Sequence, residues 1–557
     1  MEINKRTILW IVFSVSLVVL WNDWMVSNGK QSIYPWAVPV KTATVANTAP
    51  ATGLPNAAGS AAVPGAPGQA GAAAPAPFKN DTITITTDVM KVDIDTLGGV
   101  IKRLELLKFK DAHDKTRNQV LFDVNPRGVY VAQTGLVRNA PGEPVPTQFS
   151  GFVAKSGPRA LDSANEVQLV LEAEQGGIKL TKTYVFKRGD YLIDMRHDIA
   201  NIGATPVAPS LFVELLHHGN KPEGESYFNS SYTGPTMYTP TDHYQKLKFE
   251  TIEKKGTADH AKQSDDGWVA ISQHYFVSAF LPPAKMPREI YTKRVATNLY
   301  AIGTLMPLGA IAPGASVSNQ VRLYSGPQDE NKLEKIAPGL ELVKDYGFLT
   351  IIAKPIFWVM DQIHKVLGNW GWTIIAFTIL IKLVFFPLSA AGYKSMARIK
   401  VVTPKMQAIR EKYKNDPAKM NQATMELYKT EKINPVGGCL PIVVQMPVFI
   451  ALYWVLQASA EMRGAPWIGW ITDLTAPDPF YILPVLYAIS MFITTKLNPA
   501  PADPMQAKMM LFMPLAFSVM FIFFPSGLVL YWVVNNILSI AQQWVITKKF
   551  EDAAAKK

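Results

Sequence analysis

The sequence predicts a polytopic α-helical membrane protein with six transmembrane helices and a large all-β sandwich domain between the first and second spans. Three observations predict it. Apolar runs long enough to cross a bilayer concentrate after residue 370, region 79–335 alternates with the period of strands, and basic residues collect between the spans. A net charge of +11 over 557 residues would also suit a nucleic-acid binder, so the placement of that charge decides its meaning.

At the N-terminus, Lys5 and Arg6 precede an apolar span from Thr7 to Val26. A cleavable signal peptide competes with an uncleaved anchor. No small-x-small cleavage site follows; Trp21 and Trp24 stand there, as in an interfacial aromatic belt, so residues 1–26 read as a signal anchor with its basic end inside. Residues 27–78 read as a flexible Ala/Pro/Gly linker, because Thr42 to Phe78 contains no charge and too little bulk for a core.

Within 79–335, segments 81–95, 167–174 and 178–199 alternate in period two. Gly176-Gly177 and Arg188-Gly189-Asp190 supply turns, and recurrent short strands without long helices predict an antiparallel sandwich. His217-His218 has no metal or nucleophile spacing and reads as a core or surface pair. The single cysteine, Cys439, leaves no intramolecular disulfide.

Residues 340–368 hold an amphipathic segment. Lys354, Asp361 and Lys365 share one helical face, while Ile352, Ile356, Phe357, Val359 and Ile363 fill much of the rest, with Pro355 as a kink. A helix lying in the membrane interface fits this pattern; a buried helix of the exported domain is the alternative. Spans follow at about 372–389, 436–456, 480–495, 509–524 and 528–546. The last two divide 39 uncharged residues, Met509 to Thr547, at Pro525-Ser526-Gly527.

Charge orients the spans. Segment 391–434 carries ten Lys/Arg against four Asp/Glu, 496–508 is +1 and 547–557 is +2, whereas 458–479 is −2. Residues 30–345 carry 33 basic and 31 acidic residues. Six spans starting inside place every basic short segment, and both termini, in the cytoplasm with the β domain across the membrane. A soluble nucleic-acid binder is excluded.

Within 391–434, Thr403-Pro404 and Asp416-Pro417 predict helix starts for 404–414 and 417–432, paired as a cytoplasmic hairpin. Its cations include Arg398, Lys400, Lys405, Arg410, Lys412 and Lys414. They suit lipid headgroups, ribosomal RNA or acidic proteins, and equally a solvated loop.

Lys382 is the outlier, eleven residues into an otherwise apolar span in the run FTILIKLVFF. A central lysine costs about 2.5–3.5 kcal/mol on insertion scales. The other spans offer Gln445, Gln457, Ser518, Asn535, Asn536, Gln542 and Gln543, none of them an acid. A hydrated cavity awaiting an anionic visitor is the reading; snorkelling is the alternative.

The runs INPVGGCLPIVVQMPVFIALYWVL, DPFYILPVLYAISMF, DPMQAKMMLFMPL and FPSGLVLYWVVNN resemble the YidC membrane protein insertase family. The resemblance is specific from about 340 to 548 and weaker through the β domain and anchor, in a layout similar to Gram-negative members. It implies a five-helix insertase core, 369–548, around a hydrophilic groove open to cytoplasm and lipid and closed towards the periplasm. The exported domain looks like the family's periplasmic β-supersandwich, which resembles sugar-binding folds without catalytic use. Lys382 falls where the family usually has arginine, keeping the charge but losing the bidentate fork. Thr378, Gln445 and Trp532 carry over to the groove; Met446, Pro447, Phe517, Phe521 and Phe523 carry over to a hydrophobic slide for substrate helices.

The implied function is moving transmembrane segments from the cytoplasm into the bacterial inner membrane. The implied partners are nascent membrane proteins, the ribosome and targeting factors, the Sec translocon and membrane lipids, with no DNA. No catalytic residue, metal or cofactor is expected, and no G-x-x-x-x-G-K-[ST] phosphate loop is present. A secondary transporter should show internal repeats, which are absent, and an envelope enzyme would need acid/base residues in the β domain.

Overall fold

A computed structural model describes residues 80–555, apart from 112–113, 139–143, 223–231, 414–415, 432–439, 499–508, 510–511 and 513–515. The expected anchor and linker, 1–78, lie outside the described residues, as does much of the expected span 509–524, of which 516–521 is helical.

Two sheets occupy residues 82–327. The first is ten-stranded, running Thr82–Thr86, Met90–Asp95, Val100–Lys110, Gly128–Arg138, Pro209–His218, Leu299–Pro307, Arg288–Ala296 and Gln263–Ser264, with short strands 118–120 and 123–125 beside it. The second is nine-stranded, running His243–Lys246, Gly234–Thr239, Trp268–Ser272, Phe276–Leu281, Ser316–Pro327, Leu192–Asn201, Ile178–Lys187, Glu166–Gln175 and Val153–Ala154. Neighbours pair antiparallel.

Alternation explains the layers. Val167, Leu169, Leu171 and Ala173 face inward and meet Val92, Ile94, Leu211 and Val213 of the other sheet in one core. Segment 81–95, expected as one alternating run, is a hairpin: the Thr87 hydroxyl accepts from the N–H of Val89 (3.2 Å) and Met90 (3.0 Å) and turns the chain. Segment 178–199 likewise splits into two strands around Gly189, at φ +71°.

Polar groups tie the sheets together. The Lys182 ammonium, 1% exposed, donates to the carbonyls of Gly98 and Thr134, each at 2.7 Å, and lies over the Phe152 ring. His217 is a core residue packed against Tyr130 and Phe249, and burial pushes its pKa down to about 3.

Two short helices belong to this half, α1 (Phe249–Lys255) and α2 (Glu330–Ile336). The remainder is helical: α3 (Thr350–Leu367), α4 (Trp370–Val384), α5 (Phe386–Lys412), α6 (Pro417–Thr430), α7 (Leu440–Ala458), α8 (Ile482–Leu497) and α9 (Ser526–Ala555). A second core joins Phe357 and Met360 of α3, Ile374 and Phe377 of α4, Leu452 of α7, Tyr487 of α8 and Tyr531 of α9. The outward faces are also apolar: Ile351, Leu383, Ile489 and Ile537 are each more than half exposed. Such a surface suits lipid.

Among the described residues, one helix is long and apolar enough to cross a membrane, Ser526–Lys548. A second candidate is the pair Trp370–Val384 and Phe386–Ile399, bent by 68°, while Gln445–Ala458 and Ile482–Leu497 are shorter apolar helices.

Two sequence readings need correction. The expected straight span 372–389 breaks at Phe385, because Pro387 brings no N–H and crowds the preceding turn. Lys382 therefore sits in the last turn of α4, not mid-helix. Thr403-Pro404 does not start a helix; α5 runs through Pro404, and the Thr403 hydroxyl donates back to the Ile399 carbonyl at 3.0 Å. Packing against α6 holds that stretch helical: Lys405 pairs with Glu431 at 2.6 Å, and the Tyr428 hydroxyl reaches the Met406 sulfur at 3.5 Å.

Candidate functional site

Helix α4 begins at Asn369, whose side chain accepts from the Trp372 N–H at 3.2 Å, and carries Thr378 and Lys382 four residues apart on one face. Thr378 is buried and its hydroxyl donates to the Ile374 carbonyl at 2.6 Å, so that donor is used within the helix. Lys382 is 6% exposed, and its ammonium donates to the Ser539 hydroxyl of α9 at 2.7 Å.

Ser539 connects the rest. Its hydroxyl donates to the Asn535 carbonyl at 2.7 Å. From α7, Gln445 donates to the Asn535 side-chain oxygen and approaches the Tyr531 hydroxyl at 3.5 Å. Residues 531, 535 and 539 recur every fourth position, so they form one stripe on α9. Lys382 and Gln445 thus converge from two helices onto that stripe, one turn apart. On the neighbouring face, Asn536 donates to Ser490 at 3.1 Å and Gln543 to Asn498 at 3.0 Å, tying α8 to α9.

Chemically, the cluster is an ammonium held by hydroxyl and amide dipoles, with no carboxylate among the groups just named. Helix-terminal carbonyls favour a cation in the last turn of α4. The hydroxyl partner is neutral, so it does not offset the positive charge as a carboxylate would.

The other site residues divide. Trp532 is not brought to Lys382; it packs among Phe449 (4.7 Å), Phe521 (6.1 Å) and Tyr487 (6.2 Å), and its neighbour Tyr531 lies on the polar stripe. Phe521 is buried in the same core, so it lines no exterior slide. Met446, Phe517 and Phe523 are exposed at 42%, 44% and 73%, and Pro447 is half-buried within α7.

In the hairpin, Asp416 caps α6 by accepting from the Lys419 N–H at 3.1 Å. Lys412 lies over the Tyr413 ring, and Arg398 and Arg410 stand on α5 with the backbone of Lys400. Lys414 lies outside the described residues.

Sequence reasoning missed Tyr531 and Ser539. The signal was the spacing of four from Asn535 to Ser539 on an apolar helix. Serine passed unnoticed because it is common in helices as a back-bonded residue.

Two family profiles match in sequence: residues 82–359 match the family described as the YidC periplasmic domain, and 362–553 the 60Kd inner membrane protein. Among curated relatives, the chain is 56% identical to the membrane protein insertase YidC of Janthinobacterium sp. (strain Marseille) over 98% of this chain and 99% of the relative. It is 55% identical to the membrane protein insertase YidC of Ralstonia nicotianae over 99% of this chain and 100% of the relative. Among solved structures, an active YidC insertase crystallised with its first transmembrane domain resolved matches over 83% of this chain and 91% of that chain, at 17% identity and a TM-score of 0.39.

Proposed function

The chain belongs to the YidC membrane protein insertase family, and we propose that it inserts substrates through a groove centred on Lys382. Its function is insertion of membrane proteins into the inner membrane. The single observation that carries the groove is the convergence of Lys382 and Gln445 on Asn535 and Ser539, inside an otherwise apolar helical unit.

In this reading, the ammonium attracts acidic residues of a short translocated tail, which leaves the cytoplasm along the polar stripe. The adjoining apolar segment meanwhile passes Met446, Phe517 and Phe523 into lipid. Each Å² of apolar surface removed from water contributes about 25 cal/mol, so partitioning drives the step without a nucleotide. The work is that of a chaperone, not a catalyst.

Topology belongs to the same proposal: six spans, cytoplasmic termini and a periplasmic β domain, supported by the basic excess of 391–434. The α5–α6 hairpin recruits the ribosome and targeting factors, and the core works alone or beside the Sec translocon, in contact with lipid. Site-specific crosslinking of a ribosome-bound nascent membrane protein tests the groove. Crosslinks from positions 378, 382 and 445 to the substrate segment are expected; crosslinks confined to the exposed face of α8 would overturn it.

A further inference from the structure

Residues 459–481 link α7 to α8 at the end of the helical unit where α4, α8 and α9 begin. The first N–H groups of any helix lack partners within it and must find them elsewhere. Here the one connecting segment serves three helices. Leu474 and Ala476 carbonyls accept from Gly527 and Ser526 of α9 at 2.9 and 2.8 Å. The buried Asp478 carboxylate accepts from the Leu483 N–H of α8 at 2.7 Å. Asn369, which caps α4, donates to the carbonyls of Pro466 and Trp467 at 3.1 and 3.2 Å. Ile471 and Leu474 plug into the core beneath. The Trp467 indole lies so close over Gly371 that a Cβ there would fall 2.1 Å from the ring. Backbone groups of these first turns that elsewhere turn to water are thus satisfied by protein.

The opposite side of the same segment is gripped by the β domain. Arg463 donates to Gln119 at 2.9 Å and stacks over Phe276 at 5.2 Å. Lys115 reaches Asp473 at 3.4 Å. From the stretch that leads into α3, Lys344, its side chain fully buried, pairs with Glu461 at 3.1 Å and lies 3.6 Å over the Phe357 ring of α3. Removing Glu461 strands the buried Lys344 ammonium, so this pair ties the segment far more firmly than the exposed Lys115 contact.

We propose that residues 459–481 are the seal that makes the groove one-sided, and that the β domain holds this seal shut through Arg463. Arg463, Trp467 and Lys344 are positioning residues: they act on the first turns of the helices, not on substrate. This deepens the groove reading and rests on it.

The test uses the full-length protein with Cys439→Ser and Thr373→Cys, since Thr373 is fully buried in the first turn of α4. The probe is a membrane-impermeant maleimide added from the periplasmic face. Little labelling is expected in this parent and in Trp467→Phe. Trp467→Ala, Gly371→Ala and Arg463→Ala should each raise the labelling rate about tenfold, the change produced when local opening becomes easier by about 1.4 kcal/mol. Gly371→Ala adds one methyl group against Trp467 and carries the prediction if Trp467→Ala fails to accumulate.

Continued shielding in both Trp467→Ala and Gly371→Ala, or full labelling of the parent, overturns the seal. Opening by these two but not by Arg463→Ala overturns the grip of the β domain. Failure of the underlying groove reading has a different mark: Gln445→Cys, at a half-buried position, would resist the same reagent from the cytoplasmic face, whatever the periplasmic result.

Discussion

Replacing Lys382 by glutamine removes one charge and keeps a hydrogen-bonding group within reach of Ser539. If a substrate carboxylate passes about 8 Å from the ammonium, Coulomb attraction at an effective dielectric near 20 is about 2 kcal/mol. Losing it should lower capture roughly thirtyfold. The same substitution also weakens the contact between α4 and α9, so raw insertion yield mixes two effects. The assay therefore compares two versions of one single-spanning substrate in proteoliposomes, one with an acidic translocated tail and one with amides in place of the acids. Damage to the fold falls on both, whereas the charge effect falls on the acidic version alone. Lys382→Gln should cut the acidic-to-neutral insertion ratio at limiting insertase, Lys382→Glu should cut it further, and Lys382→Arg should keep it. An unchanged ratio in the glutamine and glutamate variants would refute electrostatic capture and leave Lys382 a structural residue.

Cysteines placed at 382 and 445 in a Cys439→Ser background should react with an impermeant thiol reagent from the cytoplasmic face only; equal labelling from both faces would indicate a through-channel. Deleting 404–432 removes the end of α5 and all of α6 and should lower ribosome association and insertion while the remaining helices stay embedded, as co-sedimentation and carbonate extraction would report. In the β domain, burial holds the folded pKa of His217 near 3 against about 6.5 when unfolded. The unfolded chain thus binds more protons between these values, so this stability is complete above pH 6.5 and lost as pH falls towards 3. At pH 4.5 the loss is about 2–3 kcal/mol, and His217→Phe, which keeps a ring against Tyr130 and Phe249, should flatten the fall in the thermal midpoint over that window.

What the sequence makes legible follows from which forces are local. Strand alternation survives in 166–175 because one face of that strand is core and the other solvent. The turn at 87–89 shows only as a slip in phase, from Ile83 and Ile85 to Met90, Val92 and Ile94, where a side-chain bond turns the chain. Hydropathy runs unbroken through Phe385 and Phe386, so the bend is invisible to it; Pro387 carries the only local signal. At Pro404 the local signal points the other way, and contacts with a helix more than twenty residues on decide the outcome. Polar residues were legible as a set, but their partners were not. Gln445 and Asn535 stand ninety residues apart, and only packing selects that pair from the other amides.

The bend also changes what the lysine means. In the middle of a straight span, Lys382 would carry the whole insertion penalty of a buried cation. In the last turn of α4 it faces the negative end of the helix, and the chain bends by 68° at the break three residues later. Ser539 supplies a neutral partner at hydrogen-bond distance, which orders the ammonium without cancelling its charge. Exchanging that hydroxyl for a substrate carboxylate replaces a charged–neutral bond by a charged–charged one, a gain that a pre-existing aspartate would have abolished. The long lysine stem can make the exchange by rotation about its own bonds, with no helix displaced. In the proposed groove, a cation kept near an apolar bundle by a hydroxyl would hold an anionic tail briefly and release it. An insertase needs that property, because its substrate must leave.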